Sequence, residues 1–193
     1  QTAWTCPEDG SLYFCDDFED GTFDDKWDDL ISTYALDDAG EFDILDEGTE
    51  IGKSLRFTAG TRGGELKEGE LILVKASEFG DVPNDYFVEY KIRPRANGNT
   101  GNKYLYGMMR YEGQLQWYFG GLNMQNSSAS TQVEAGFIDT GAVQRSLQKK
   151  KAIELGTEGG TDGDWHTVRT DVVGSTLTAY LDGEELGSWE DTG

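Results

Sequence analysis

The sequence predicts an all-β fold, a two-sheet antiparallel β-sandwich. Short segments of alternating polar and apolar residues recur along the chain, separated by Gly, Asp and Asn. Helical patterning is nearly absent: "DDKWDDLISTY" allows one turn and "VQRSLQKKKAIEL" holds helix formers, but neither has an apolar stripe framed by caps. The composition fits a core of large residues inside a polar shell, with 26 Gly, 3 Pro, 36% hydrophobic and 12% aromatic residues. At 193 residues a single domain spanning 1–193 is expected. That length buries roughly two-thirds of the unfolded surface.

The expected strands are 12–18, 41–46, 53–59, 70–75, 86–93, 104–111, 115–122, 132–138, 151–155, 165–173, 176–181 and 184–189. Two hairpins link the last three, turning at Gly174–Ser175 and at Asp182–Gly183, where Asp-Gly suits a type I′ turn. In 86–93, Tyr86, Val88, Tyr90 and Ile92 form a core face, which leaves Phe87, Glu89, Lys91 and Arg93 opposite. In 104–111, Tyr104, Tyr106, Met108 and Arg110 oppose Leu105, Gly107, Met109 and Tyr111. In 115–119, Leu115, Trp117 and Phe119 oppose Gln116 and Tyr118. The polar stretches 95–103 and 125–131 read as loops of the kind that border a ligand face.

Sixteen Lys and Arg against 37 Asp and Glu give a net charge of −21. Such a surface repels phosphate, which argues against nucleic acid and anionic membranes as partners. No segment approaches the roughly 20 apolar residues of a membrane-inserted helix. No basic, apolar signal segment opens the chain, so the start "QTAWTC" reads as a mature end or an engineered start. Cys6 and Cys15 are the only cysteines, and a bridge between them would staple an N-terminal arm of residues 1–15. Such a bridge suits a secreted or cell-surface protein. "NSS" at Asn126 is a glycosylation sequon.

Three segments, "FCDDFEDGTFDDKWD" (14–28), "GKSLRFT" (52–58) and "DWHTVRTDVVGSTLTAYLDGEELG" (164–187), together resemble the concanavalin A-like, laminin-G-like jelly roll of carbohydrate-binding modules and related secreted sugar-acting domains. The middle, "YFVEYKIRPR" to "WYF", is similar in strand order. The resemblance covers most of the chain and implies architecture more than activity, because this fold hosts binding modules, glycosidases, lyases and adhesins. It also implies a structural Ca²⁺ at the "DDFEDG" turn, held by Asp17, Glu19 and the carbonyl of Lys53. Members of the family continue past "YLDG" into a further strand carrying an Asp, whereas this sequence ends at "GSWEDTG". The sandwich is therefore expected to lack its last strand within this chain. That would leave strand 12–18 as an open edge for strand exchange or for further domains of a longer chain.

The stretch "GEFDILDEG" (40–48) has the letters of a glycosidase strand, Glu-x-Asp-x-x-Glu. In family 16 glycoside hydrolases that motif follows a strand resembling "YFVEYKIRPR", whereas here it precedes it. Its third acid is Asp46, with Glu47 out of phase. Retaining catalysis needs two carboxyls about 5–5.5 Å apart, which this spacing reaches only through a bulge. An outer strand with Phe42 and Ile44 inward and Glu41 and Asp43 outward accounts for it better. His166, the only histidine, has no acid beside it in the sequence to orient it as a base. "RGGELKEGE" (62–70) is similar to the Arg-x-Glu strand of alginate-lyase-like sandwiches, but the accompanying Gln-x-His strand is missing.

These readings place a glycan (polysaccharide) face on the strands from 86 to 122. Tyr104, Tyr106, Trp117 and Tyr118 would stack on sugar rings, while Glu89, Lys91, Arg93, Arg110 and Gln116 would bind hydroxyls. The expected function is a secreted carbohydrate-binding or adhesive module. One alternative is a polysaccharide hydrolase or lyase using Glu89 and Glu70. Another is a structural subunit that assembles by strand exchange.

Overall fold

The computed structural model describes residues 5–29, 40–59, 72–78, 80–93, 103–113, 116–124, 131–139, 142–150 and 164–192. The chain divides into two compact units, Gln1–Val82 and Pro83–Gly193. Every strand pairing among the described residues is antiparallel. The one helical element among them is a 3-10 turn, Ala76–Glu78.

In the first unit, strand β1 (Trp27–Asp29) pairs with β4 (Ile72–Val74), and β2 (Gly40–Asp46) pairs with β3 (Lys53–Ala59). Residues 12–18, expected as a strand, form none. Their acids build turns instead. Asp16 accepts the N–H of Phe18, Asp17 that of Glu19, and Asp20 that of Thr22. A carboxylate that caps the main chain two residues on competes with a strand ladder, so "DDFED" coils rather than extends. The Cys6–Cys15 disulfide closes this segment, with a Cα–Cα distance of 5.8 Å. A loop this short is worth about 2–3 kcal/mol in the chain-entropy account. Trp27 anchors the segment from the other side, donating its indole N–H to Asp16 at 2.7 Å and packing on Phe14 and Phe18.

"GEFDILD" is β2, and its side chains make packing and ion-pair contacts within the first unit. Phe42 packs on Phe23 and Phe57, while Asp43 forms a two-point ion pair with Arg56 directly across the strands. That pairing draws the Asp43 carboxyl below its usual range.

The second unit is the sandwich. One sheet runs β12 (Glu184–Glu190), β11 (Thr176–Leu181), β10 (His166–Val173) and β5 (Tyr86–Ile92). The other runs β6 (Lys103–Gly113), β7 (Gln116–Met124), β8 (Gln132–Asp139) and β9 (Ala142–Lys150). Residues 143–150 of the segment read for its helix formers thus belong to strand β9, the end of this sheet among the described residues. Ladder pairing with β8 outweighs the weak propensity of "QKK". The strand expected at 151–155 lies outside the described residues.

Val168, Val172, Leu177, Ala179 and Leu181 of the first sheet meet Met109, Leu122, Val133 and Ala135 of the second, all buried. Each such large aliphatic side chain contributes about 1.5–3 kcal/mol. The alternation expected for 86–93 holds, with Tyr86, Val88, Tyr90 and Ile92 packed on this core. Tyr90 crosses between the sheets. Its hydroxyl receives the N–H of Gly107 at 3.0 Å and lies 3.1 Å from the carbonyls of Leu105 and Gly120. A Cβ on Gly107 would come within 2.8 Å of the Tyr90 ring, so only glycine leaves room for it. At the hairpin, Asp182 and Gly183 both take positive φ, 52° and 80°, as a type I′ turn requires.

Candidate functional site

The residues assigned to a glycan face from the sequence do not share one face. Glu89 and Lys91 point outward from β5, away from the core. Arg93 lies at the end of β5, its guanidinium 5.0 Å from the centre of the Trp165 ring. Tyr106 and Trp117 lie in the other sheet and pack with Phe119, Met108, Tyr111 and Ile138 in a second apolar cluster. There Tyr106 donates to Glu134, a fully buried carboxyl that also receives Asn123 at 3.0 Å and Gln132 at 2.9 Å. Gln116 is exposed at the start of β7. The side chain of Tyr104 lies outside the described residues, as does Glu70.

Arg110 and Tyr118 form a third group. The ladder between β6 and β7 is irregular between Met109 and Gly113, and Arg110 takes φ 48° within it. The bulge shifts the alternation by one residue, so Tyr111 joins Tyr106 and Met108 rather than Met109. The Arg110 main-chain N–H donates to the Tyr86 hydroxyl, and its guanidinium donates to the Asn84 carbonyl and lies over the Tyr118 ring. Tyr118 donates to Asp191 at 2.6 Å. That carboxylate, with burial, holds the phenol above its usual range.

Strand register brings other residues to Glu89. Glu89 lies opposite Arg169, Arg169 opposite Tyr180, and Tyr180 opposite Glu185. The next row runs Phe87, Asp171, Thr178 and Ser188, and beyond Glu89 comes Lys91 opposite Thr167. These positions alternate with the buried Val168, Thr170 and Val172, so they form the outward face of the sheet.

Arg169 is the centre of this face. Its guanidinium lies 4.0 Å from the centre of the Phe87 ring and 5.7 Å from that of Tyr180. Its Nε and Nη2 donate to the two carboxylate oxygens of Asp171 at 2.6 and 3.2 Å. The Asp171 pairing raises the guanidinium pKa further. Glu89, Thr167, Arg169, Tyr180 and Gly183 line a cleft of about 320 Å³. The sequence showed Glu89 and Lys91 of this face. Arg169, Asp171 and Tyr180 were missed because the ligand face was placed on the strands from 86 to 122, although Thr167, Arg169 and Asp171 alternate visibly with the apolar positions.

His166 precedes Thr167 on β10, in phase with the buried positions. The sequence shows no acid beside it, but the fold supplies one: Asp182 Oδ2 lies 2.9 Å from His166 Nδ1, and Asp182 Oδ1 accepts the Thr167 N–H at 2.8 Å. Pairing of Val168 with Leu181 carries Asp182 to that position from the hairpin turn. The His166 Nε2 atom is buried, with no hydrogen-bond partner among the described residues. The pair ties the hairpin turn to the start of β10.

The residues implied for calcium come together in the first unit. Glu19 Oε1 accepts the Lys53 N–H at 2.7 Å, and the Lys53 ammonium donates to the Glu19 carbonyl at 2.9 Å. Asp17 accepts from Cys6 and from Glu19. Carboxylate and carbonyl oxygens are the donor types calcium takes. The Lys53 ammonium competes for one of them.

No protein-family model matches the chain, and no curated protein sequence matches it. Among solved structures it is similar to the carbohydrate-binding module CBM66 from Bacillus subtilis, at 16% identity over 86% of this chain and 80% of that one, with a TM-score of 0.55. A partial likeness to mouse laminin alpha1 chain domains LG4–5 has 23% identity over 59% of this chain and 25% of that one, with a TM-score of 0.37. The first likeness establishes the fold as the antiparallel jelly-roll sandwich expected from the sequence.

Proposed function

We propose that this jelly-roll chain is a glycan-binding module of a secreted or cell-surface protein, and that it binds on the outward face of the β5–β10–β11–β12 sheet. The observation that carries the reading is Arg169, flanked by the Phe87 and Tyr180 rings and pinned by Asp171 on the cleft that Glu89 lines. Aromatic rings beside fixed donors and acceptors are what sugar recognition requires: apolar ring faces stack while hydroxyls are counted by polar groups. The likeness to a carbohydrate-binding module supports the reading at the level of fold. The Cys6–Cys15 bridge supports an oxidising compartment.

A glycan-array screen of the full chain, with a reducing-end release assay on the hits, tests the function. Binding without product release is expected. Tyr180→Ala should weaken it about tenfold, the scale of one lost stacking contact. Released product would make the chain an enzyme, and binding that ignores Tyr180 would move the site elsewhere.

The same reading carries a structural calcium at the first unit, with Asp17, Glu19 and the Lys53 carbonyl as its ligands. Calcium at a hundredfold excess over its dissociation constant should stabilise the chain by about 2.7 kcal/mol. The measurement is the melting temperature with calcium and with EDTA. Asp17→Asn should abolish the difference, and equal melting in calcium and EDTA would remove the ion.

A further inference from the structure

We infer that the Arg169 cleft selects uncharged sugars and rejects uronates and sulfated sugars, a reading that rests on the glycan-binding function proposed above. A lone arginine between aromatic rings would ordinarily invite an anionic sugar, since a guanidinium matches carboxylate and sulfate in two-point geometry. Here that geometry is already taken. Asp171 accepts from both Nε and Nη2, which occupies one edge of the fork. Glu89 lies directly opposite Arg169 on the neighbouring strand and adds a second negative field. Glu185 lies one strand beyond Tyr180.

The described charged side chains of this face are then Glu89, Asp171, Glu185 and Glu190 against Lys91 and Arg169, with Arg93 at the end of β5 and Asp182 and Glu184 at the adjoining turn. An incoming carboxylate would have to displace Asp171 or sit beside Glu89, and either leaves one anion without a countercharge. The chain's net charge of −21 opposes polyanions at longer range as well.

A neutral sugar meets no such conflict. Each hydroxyl both donates and accepts, so adjacent hydroxyls on one ring can give a proton to Glu89 and take one from the remaining N–H groups of Arg169. Thr167, on the cleft wall, offers a further hydroxyl, and the Tyr180 ring supplies the stacking surface. Phe87, 40% exposed, extends the apolar surface beside Arg169. Asp171 is thus a specificity residue: it neutralises and orients the guanidinium that hydroxyls need.

Calorimetric titration of the full chain tests this with neutral glucans, galactans and fructans on one side and polygalacturonate, alginate and dextran sulfate on the other. Each is run at low and at high NaCl. A neutral polymer should bind with an affinity that salt leaves unchanged, and the anionic polymers should not bind. Glu89→Gln, exposed and isosteric, should weaken the neutral ligand about tenfold, the value of one hydrogen bond to a charged group. Asp171→Asn should let polygalacturonate bind where the parent does not, because it frees the guanidinium. Tighter binding of an anionic polymer by the parent chain, weakening with salt, overturns the inference while leaving the glycan function intact. So does an Asp171→Asn variant that is folded by circular dichroism, binds the neutral polymer and still excludes polygalacturonate. Absence of binding to either class overturns the function itself.

Discussion

Glu134 is the residue whose removal should cost most. It is fully buried, and Tyr106, Asn123 and Gln132 all donate to it. Glu134→Ala strands those donors without water, and a loss of about 3 kcal/mol in urea unfolding is expected. A loss below about 1 kcal/mol would mean that the network relaxes onto other partners. Thr170 makes the converse case. Its hydroxyl is buried without a partner among the described residues and lies where a Cβ on Gly120 would come within 2.0 Å. Thr170→Val keeps the shape and removes the unpaired polar group, so unfolding measurements should find it neutral or slightly stabilised. Neither role is legible in the sequence. A glutamate in "QVEAGFID" reads as an outward residue until a second face of the same sheet is seen to be buried.

At the scale of elements, Tyr90 and the glycines facing it set how closely the two sheets of the second unit approach. Tyr90→Phe keeps the ring but leaves the Gly107 N–H unpaired, and about 2 kcal/mol of stability should be lost, read from equilibrium denaturation. Strand identity was largely legible here. Residues 86–92, 166–173 and 176–181 alternate apolar and polar side chains cleanly, and Asp-Gly marks its hairpin. What the pattern concealed was pairing across strands. Arg169 meets Glu89 only because β5, far away in sequence, lies beside β10, and a periodicity carries no information about neighbours in the sheet. Irregularities were concealed for the same reason: Arg110 has no glycine or proline to announce the bulge that turns Tyr111 to the other side. The turn-forming acids of "DDFED" erred the other way, since the apolar letters around them mimic a strand.

At the scale of the molecule, acidity dominates, and two ion pairs of the first unit link it to pH. Lys26 draws the Asp20 carboxyl below its ordinary value of 3.8, and Arg56 does the same for Asp43. A depressed carboxylate contributes stability that is fully present above its unfolded value and is lost as pH falls through the lower folded value. Unfolding followed between about pH 5 and pH 2 should therefore show stability declining below pH 4, and Asp20→Asn with Asp43→Asn should flatten that decline. Both pairs are exposed, so the double variant should change stability at pH 7 by no more than about 1 kcal/mol. A different use follows from the single imidazole in 193 residues. His166 is tied through Asp182 to the main chain of Thr167, on the wall of the proposed cleft. In a sample labelled with ¹⁵N-histidine, one pair of ring nitrogen signals would report on that wall without any introduced probe. Its displacement on adding a sugar would register occupancy of the cleft from within the native chain.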